Sequence, residues 1–311
     1  MPSPSFHPEL RTIARFLPRG PIGPRSLRYV RLGDAAMSRR SAPQGSTIDR
    51  ADDVRLRVHR PAGFARASVD SPGPAVLWIH GGGYVMGTAA QDDGLCRWLA
   101  DSLGAVVTAV DYRLAPEHPH PGPIEDCYHA LLWLAAQPDV DPARIAIGGA
   151  SAGGGLAAAL TANAVDRGEV APAFQLLVYP MLDDRTVLAE PEVDPRWFRL
   201  WNPTSNHFGW QSYLGTEPGS SEVAIEAVPS RRDDLSALPP AWIGVGTLDL
   251  FHREDVTYAE RLRAAGVPCE LQVVPGAFHG FDMAQKAQVV RDFRASQLDA
   301  LAAALGTEVI A

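Results

Sequence analysis

An α/β fold built on a mostly parallel sheet is what this sequence predicts, and three observations carry the prediction. Near-continuous apolar runs at 75–79, 105–110, 144–147, 174–179 and 241–245 recur at strand length, as strands covered on both faces do. Helical patterns fall between them, at roughly 91–103, 124–137, 152–167, 253–265 and 284–304. That alternation gives repeated βαβ units with helices on both faces of the sheet. Length agrees, since 311 residues make one large or two modest domains at roughly 100–200 residues each.

Taken in order, residues 1–26 read as short helices broken by prolines, and 27–32 reads as a first strand. The run 54–59 alternates apolar and polar residues, as a half-buried outer strand should. The five continuous runs follow, and 270–274 closes a count of about eight strands. Residues 181–238 break the alternation with a long insertion holding Trp197, Trp201, Phe208, Trp210 and Tyr213. Such a segment is a lid or pocket wall, or a satellite cluster covering the sheet, and both readings can hold at once. The stretch 145–165 has no charge or histidine, so a length rule would flag it as a membrane span. Five glycines with Ser151, Thr161 and Asn163 interrupt it, and a strand, a sharp turn and an Ala-rich helix explain it better.

Composition narrows the classes. The 28 glycines and 27 prolines make about 18% of the chain against a background of about 12%, which fits a turn-rich globular protein and no coiled coil. A net charge of −8 argues against nucleic acid as the partner. Residues 1–60 are basic, and the simplest reading is an N-terminal face docked on an acidic body. Cys96, Cys127 and Cys269 form no CxxC pair, so neither a disulfide framework nor a zinc site is expected. No apolar signal segment is evident at the start. The expected setting is cytoplasmic.

The chemistry concentrates in two glycine-rich segments. Gly149-Ala150-Ser151-Ala152-Gly153 lies between an expected strand and helix, the context that G-x-S-x-G requires to be a nucleophile elbow. Small residues must flank a serine on so tight a turn. A serine hydroxyl needs a base, and the base an orienting acid. His279 is the best base, on a glycine-flanked loop after the last strand. Asp249 is the acid, after the 241–245 strand; its structural alternative is a helix cap, and Glu254 and Asp255 are the fallback acids. All three sites fall at carboxyl ends of strands. His80-Gly81-Gly82-Gly83, after the 75–79 strand, is the second segment. Gly82 and Gly83 N–H, with the Ala152 N–H, are assigned to hold an oxyanion, Gly81 shapes the turn, and His80 is a scaffold residue. A phosphate loop would need a P-loop lysine or G-x-G-x-x-G spacing, and neither is present.

Six motifs in order resemble the bacterial hormone-sensitive-lipase family (family IV) of esterases in the α/β-hydrolase superfamily. They are His80–Gly83, Asp111–Pro119, Gly149–Gly154, Tyr179–Asp183, Gly246–Asp249 and Phe278–Phe281. The resemblance implies an eight-stranded hydrolase sheet and a cap formed by about 1–45 and 184–235 over a core of about 46–183 and 236–311. It implies hydrolysis of short to medium acyl esters of small molecules with no cofactor or metal, by a monomer or homodimer. Amidase, lactonase or deacetylase activity is the rival within enzymes. A receptor of the same fold is the alternative outside them, although receptors of that kind have lost the histidine. Ala150 stands where the family often has Asp or Thr, and Leu250–Arg253 departs from the usual run after the acid, with His252 and Arg253 either tuning the leaving group or facing solvent. Asp111, Arg113 and Asp126 are expected to form one structural polar network. Tyr84, Trp201, Phe208 and Phe281 are the candidates for closing the substrate pocket.

Overall fold

Eight strands pair in a single sheet whose order brings the loops after six parallel strands to one edge. The structure is a computed structural model describing residues 5–40, 42–61 and 71–310; residues 1–4 and 41 of the expected cap, and 62–70 and 311 of the expected core, lie outside the described residues. The strands are β1 (Ser46–Ala51), β2 (Val54–His59), β3 (Gly73–Ile79), β4 (Val106–Asp111), β5 (Val140–Ala150), β6 (Phe174–Val178), β7 (Ala241–Gly246) and β8 (Cys269–Val274). Their spatial order is β1-β2-β4-β3-β5-β6-β7-β8. β2 pairs antiparallel with both β1 and β4, and every pairing from β4 to β8 is parallel.

Continuous apolar runs are needed because both faces are covered. Along β3, Ala75, Leu77 and Ile79 enter one core, while Val76 and Trp78 enter the other. The first core packs α4 (Gly122–Ala135), α5 (Ala152–Arg167), α6 (Pro203–Leu214) and α7 (His252–Ala264). The second packs α1 (Arg11–Phe16), α3 (Asp93–Leu103) and α8 (Gln288–Leu305). The helices of the βαβ units fall within a few residues of their expected positions, and the helix of 152–167 matches at both ends.

The expected strand at 27–32 is instead part of a helix, α2 (Pro24–Ser38). Pro24 supplies a fixed φ for the first turn, and Gly23 N–H donates to Ser26 Oγ at 3.0 Å. Leu27 and Val30 stand at helical spacing, with Leu27 buried and Leu32 exposed. The true first strand, β1, is exposed along most of its length and so carries no apolar pattern. The expected polar network of Asp111, Arg113 and Asp126 also divides in two. Asp111 accepts from Thr88 Oγ1 and Ala89 N–H, whereas Arg113 grips Asp126 from side chain and backbone.

One charge is sealed into this frame. Arg57 on β2 is fully buried and makes a two-point bond to Asp93 at the start of α3, at 2.7 and 2.5 Å. Beside it, burial lowers His59 to about 4, so its imidazole is neutral there at physiological pH. Removing one partner of a buried pair strands the other's charge, which costs about 3–5 kcal/mol. Asp93→Ala should therefore lower unfolding stability by about 3 kcal/mol in urea titrations, with the fold retained.

Candidate active site

β5 ends at Ala150, and Ser151 turns the chain straight into α5 with φ +57° and ψ −123°. That left-handed value is costly for a residue with a side chain, about 1–3 kcal/mol. The turn is held on both sides. Ser151 N–H donates to Val178 O at 2.9 Å, and Ser151 O accepts from Gly155 and Met181 N–H at 3.0 Å each. The flanking glycines are required by contact: a Cβ on Gly153 would lie 2.1 Å from Ile79 O and 2.4 Å from His80 O, and one on Gly149 would lie 2.3 Å from Gly153 O.

Two further strand ends bring the remaining polar groups. His279, on the loop after β8, places Nε2 2.9 Å from Ser151 Oγ and Nδ1 2.9 Å from Asp249 Oδ2. Asp249 follows β7 and is nearly sealed from solvent. Its other oxygen accepts Phe251 N–H at 3.0 Å. That bond closes the turn before α7, whose N-cap is Phe251 with no side-chain cap, so the helix-cap alternative for Asp249 is not met. Tyr179 and Phe251 set their rings against the imidazole at 4.8 and 5.2 Å.

The loop after β3 lies against the elbow, with a Cβ on Gly81 only 2.9 Å from Ala150 O and 3.3 Å from Ser151 Cβ. Gly82 and Gly83 have φ of +133° and +59°, conformations open to glycine. Among the described residues the N–H groups of Gly82, Gly83 and Ala152 donate to no protein acceptor. His80 stacks on Tyr112 at 4.3 Å and meets Gly81 O through Nδ1. Burial lowers its pKa, which suits a neutral scaffold residue.

Residues of the N-terminal segment hold this loop, and sequence reading did not find them. Arg31 Nε donates to Val85 O at 2.7 Å, while Arg31 also pairs with Glu117. Asp34 accepts Gly87 N–H at 2.9 Å. The basic start of the chain was the only hint, and partners some fifty to ninety residues away leave no local pattern. The same segment meets the 181–238 insertion. Leu200 N–H donates to Pro18 O, Ile22 N–H to Ser205 Oγ, and Phe6 packs edge-on to Trp197 and Phe278.

The four pocket candidates separate. Trp201 covers Gly83 so closely that a Cβ there would fall 2.0 Å from the indole, and Phe208 on α6 is half-buried. Tyr84 is instead absorbed by the core, stacked on Tyr213 at 4.1 Å with its hydroxyl on Met181 O. Phe281 is likewise fully buried against Phe293. Trp201 is itself buried, in the same core as Tyr84. Leu250, His252 and Arg253 line a cavity of about 560 Å³ that reaches Asp249, while Ser151 and His279 are not among its walls.

Neither fallback acid is within hydrogen-bonding contact of the histidine. Glu254 accepts from Leu182 and Asp183 N–H and from the Thr186 hydroxyl. Asp255 is fully buried, and among the described residues neither of its oxygens has a hydrogen-bond partner. Burial, with the charges of Glu254 and Asp249 beside it, pushes its carboxyl well above the usual carboxylate range. A folded-state pKa above the unfolded value of about 3.9 means full stability below that pH and loss as pH rises toward the folded pKa. Asp255→Asn cannot ionise. It should gain stability relative to the parent as pH rises above about 4, by up to about 1.4 kcal/mol per pH unit, in urea unfolding followed at several pH values.

Comparison with known proteins agrees with this architecture. The profile of a family described by its α/β hydrolase fold matches residues 76–283. Esterase LipI of Mycobacterium tuberculosis is 36% identical over 282 residues, 88% of this chain and 80% of that protein. Ethyl acetate hydrolase of Pseudomonas putida is 34% identical over 228 residues, 71% of each. The solved structure of a bacterial heroin esterase superposes with a TM-score of 0.86 at 38% identity, covering 97% of this chain and 98% of that one. The chain belongs to the α/β-hydrolase-fold family, in the hormone-sensitive-lipase-like branch that its motifs resemble.

Proposed function

We propose that the protein is a serine carboxylesterase acting on short- to medium-chain acyl esters of small molecules. The observation that carries this reading is the unbroken chain Ser151 Oγ–His279–Asp249, with 2.9 Å at each link. Ser151 Oγ attacks the ester carbonyl while His279 Nε2 takes its proton. The free N–H groups of Gly82, Gly83 and Ala152 hold the oxyanion, where loss of one donor typically costs about 2.7–4 kcal/mol of barrier. His279 then protonates the leaving alkoxide, the acyl group stays on Ser151, and water completes the turnover by the same path reversed. Asp249 fixes the imidazole tautomer and stabilises its charged form. The relatives, two esterases and an ethyl acetate hydrolase, support the ester and the short acyl group.

In this reading the N-terminal segment and residues 184–235 act as a cap, with Trp201 and Phe208 on the substrate side. The protein works in the cytoplasm without cofactor, as monomer or homodimer; the three unpaired cysteines are in keeping with a reducing compartment. Among the described residues no helix is long and apolar enough to cross a membrane. Ser151→Ala should abolish hydrolysis of short p-nitrophenyl esters while circular dichroism stays unchanged, and full activity in that variant would sink the assignment. In the parent protein, acetyl to hexanoyl esters should be cleaved faster than longer esters or a matched anilide. A faster anilide would favour the amidase reading.

A further inference from the structure

One residue that the mechanism above leaves unused sits among the strand ends that carry Ser151, Asp249 and His279. Tyr179 stands directly after β6, next to Val178, whose carbonyl accepts Ser151 N–H. Its own N–H donates to Gly244 O at 2.7 Å, on β7, the strand leading to Asp249. Its ring meets the His279 imidazole at 4.8 Å and 63°. Its hydroxyl donates to Asp282 Oδ1 at 2.6 Å, in the short turn Phe281–Met283 that follows His279. Tyr179 also has φ +35°, an unfavourable value for a tyrosine, so the chain bears a local cost to aim the ring there. Burial, together with the Asp282 charge, raises the phenol well above its ordinary value, which keeps it a donor across the working pH range.

We propose that Tyr179 is a positioning residue, whose hydroxyl bond to Asp282 and ring contact with His279 hold the imidazole in line between Ser151 and Asp249. The proposal rests on the esterase reading. Its logic is geometric. The His279 loop leaves β8 at the edge of the sheet, two strands from β6, and nothing in β8 itself sets the ring angle. The bond to Asp282 fixes the turn that follows the histidine, and the ring edge limits rotation of the imidazole. Phe251, at 83° to the imidazole, provides a second aromatic contact. A small tilt of a catalytic base is expensive, since misplacement by about 1 Å can cost a hundredfold in rate.

The test compares Tyr179→Phe, Asp282→Ala and Asp282→Asn with the parent and Ser151→Ala, using p-nitrophenyl acetate and recording kcat, KM and the thermal midpoint. Tyr179→Phe keeps the ring and loses only the hydroxyl. It should lower kcat roughly tenfold with KM unchanged within about twofold. Asp282→Ala should match it. Asp282→Asn retains an oxygen that accepts from the phenol and should keep most of the parent kcat. The double variant Tyr179→Phe/Asp282→Ala should be no slower than either single change, because both remove the same bond. Parent-like kcat in Tyr179→Phe overturns the proposal. Equal kcat in Asp282→Ala and Asp282→Asn also overturns it, and decides the matter should Tyr179→Phe not fold. Failure of the esterase reading would look different, with Ser151→Ala as active as the parent.

Discussion

At the end of β5 two backbones approach more closely than any side chain permits. The carbonyls of Ile79 and His80 lie where a Cβ of Gly153 would be, and the elbow carries Ser151 at φ +57°. This contact locks the β3 loop against the β5–α5 turn, so the serine and the Gly82–Gly83 amides form one rigid unit. Parallel pairing of β3 with β5, in register from Ala75↔Ile145 to Ile79↔Gly149, brings the two strand ends level. A single methyl at position 153 would push the loop away and separate the proposed nucleophile from the proposed oxyanion donors. The strained serine is retained because three backbone bonds, from Val178, Gly155 and Met181, hold it.

The proposed base is held by different means. His279 comes from a loop on the far edge of the sheet, where strand register has little authority over ring orientation. Its angle is set by Asp249 on one nitrogen and by the rings of Tyr179 and Phe251. Polar groups here divide by occupation. Asp249 has both oxygens engaged, and Glu254 is spent on the backbone of the segment after β6. Asp255 has no hydrogen-bond partner among the described residues and is driven toward its neutral form by burial. Three acids within seven residues therefore have three distinct environments, and only Asp249 meets the imidazole.

Much of this was legible in the sequence because its signals are local. Double-sided burial writes continuous apolar runs, and the elbow writes its two glycines two places from the serine. What stayed hidden was long-range or unpatterned. β1 faces solvent and shows no period. The spacing in 27–32 serves helix or strand until Pro24 and Gly23 are weighed as a start signal. Tyr84 and Phe281 flank active-site motifs, yet they point into the core, and sequence adjacency alone does not say which way a side chain turns. Arg31, Asp34 and Tyr179 hold loops through partners more than fifty residues distant, which no window of sequence can reveal.

In the proposed mechanism Ser151 is activated by His279 within a preformed oxyanion site. A fluorophosphonate mimics the tetrahedral adduct and reacts only with a serine so activated. Incubation of the parent protein with it, followed by intact-mass and peptide mass spectrometry, should give one adduct per chain, located on Ser151. The same treatment of His279→Ala should label at least a hundredfold more slowly, on the order of the rate lost with a catalytic base. Labelling of another residue, or equal labelling rates in the two proteins, would mean that His279 does not activate Ser151.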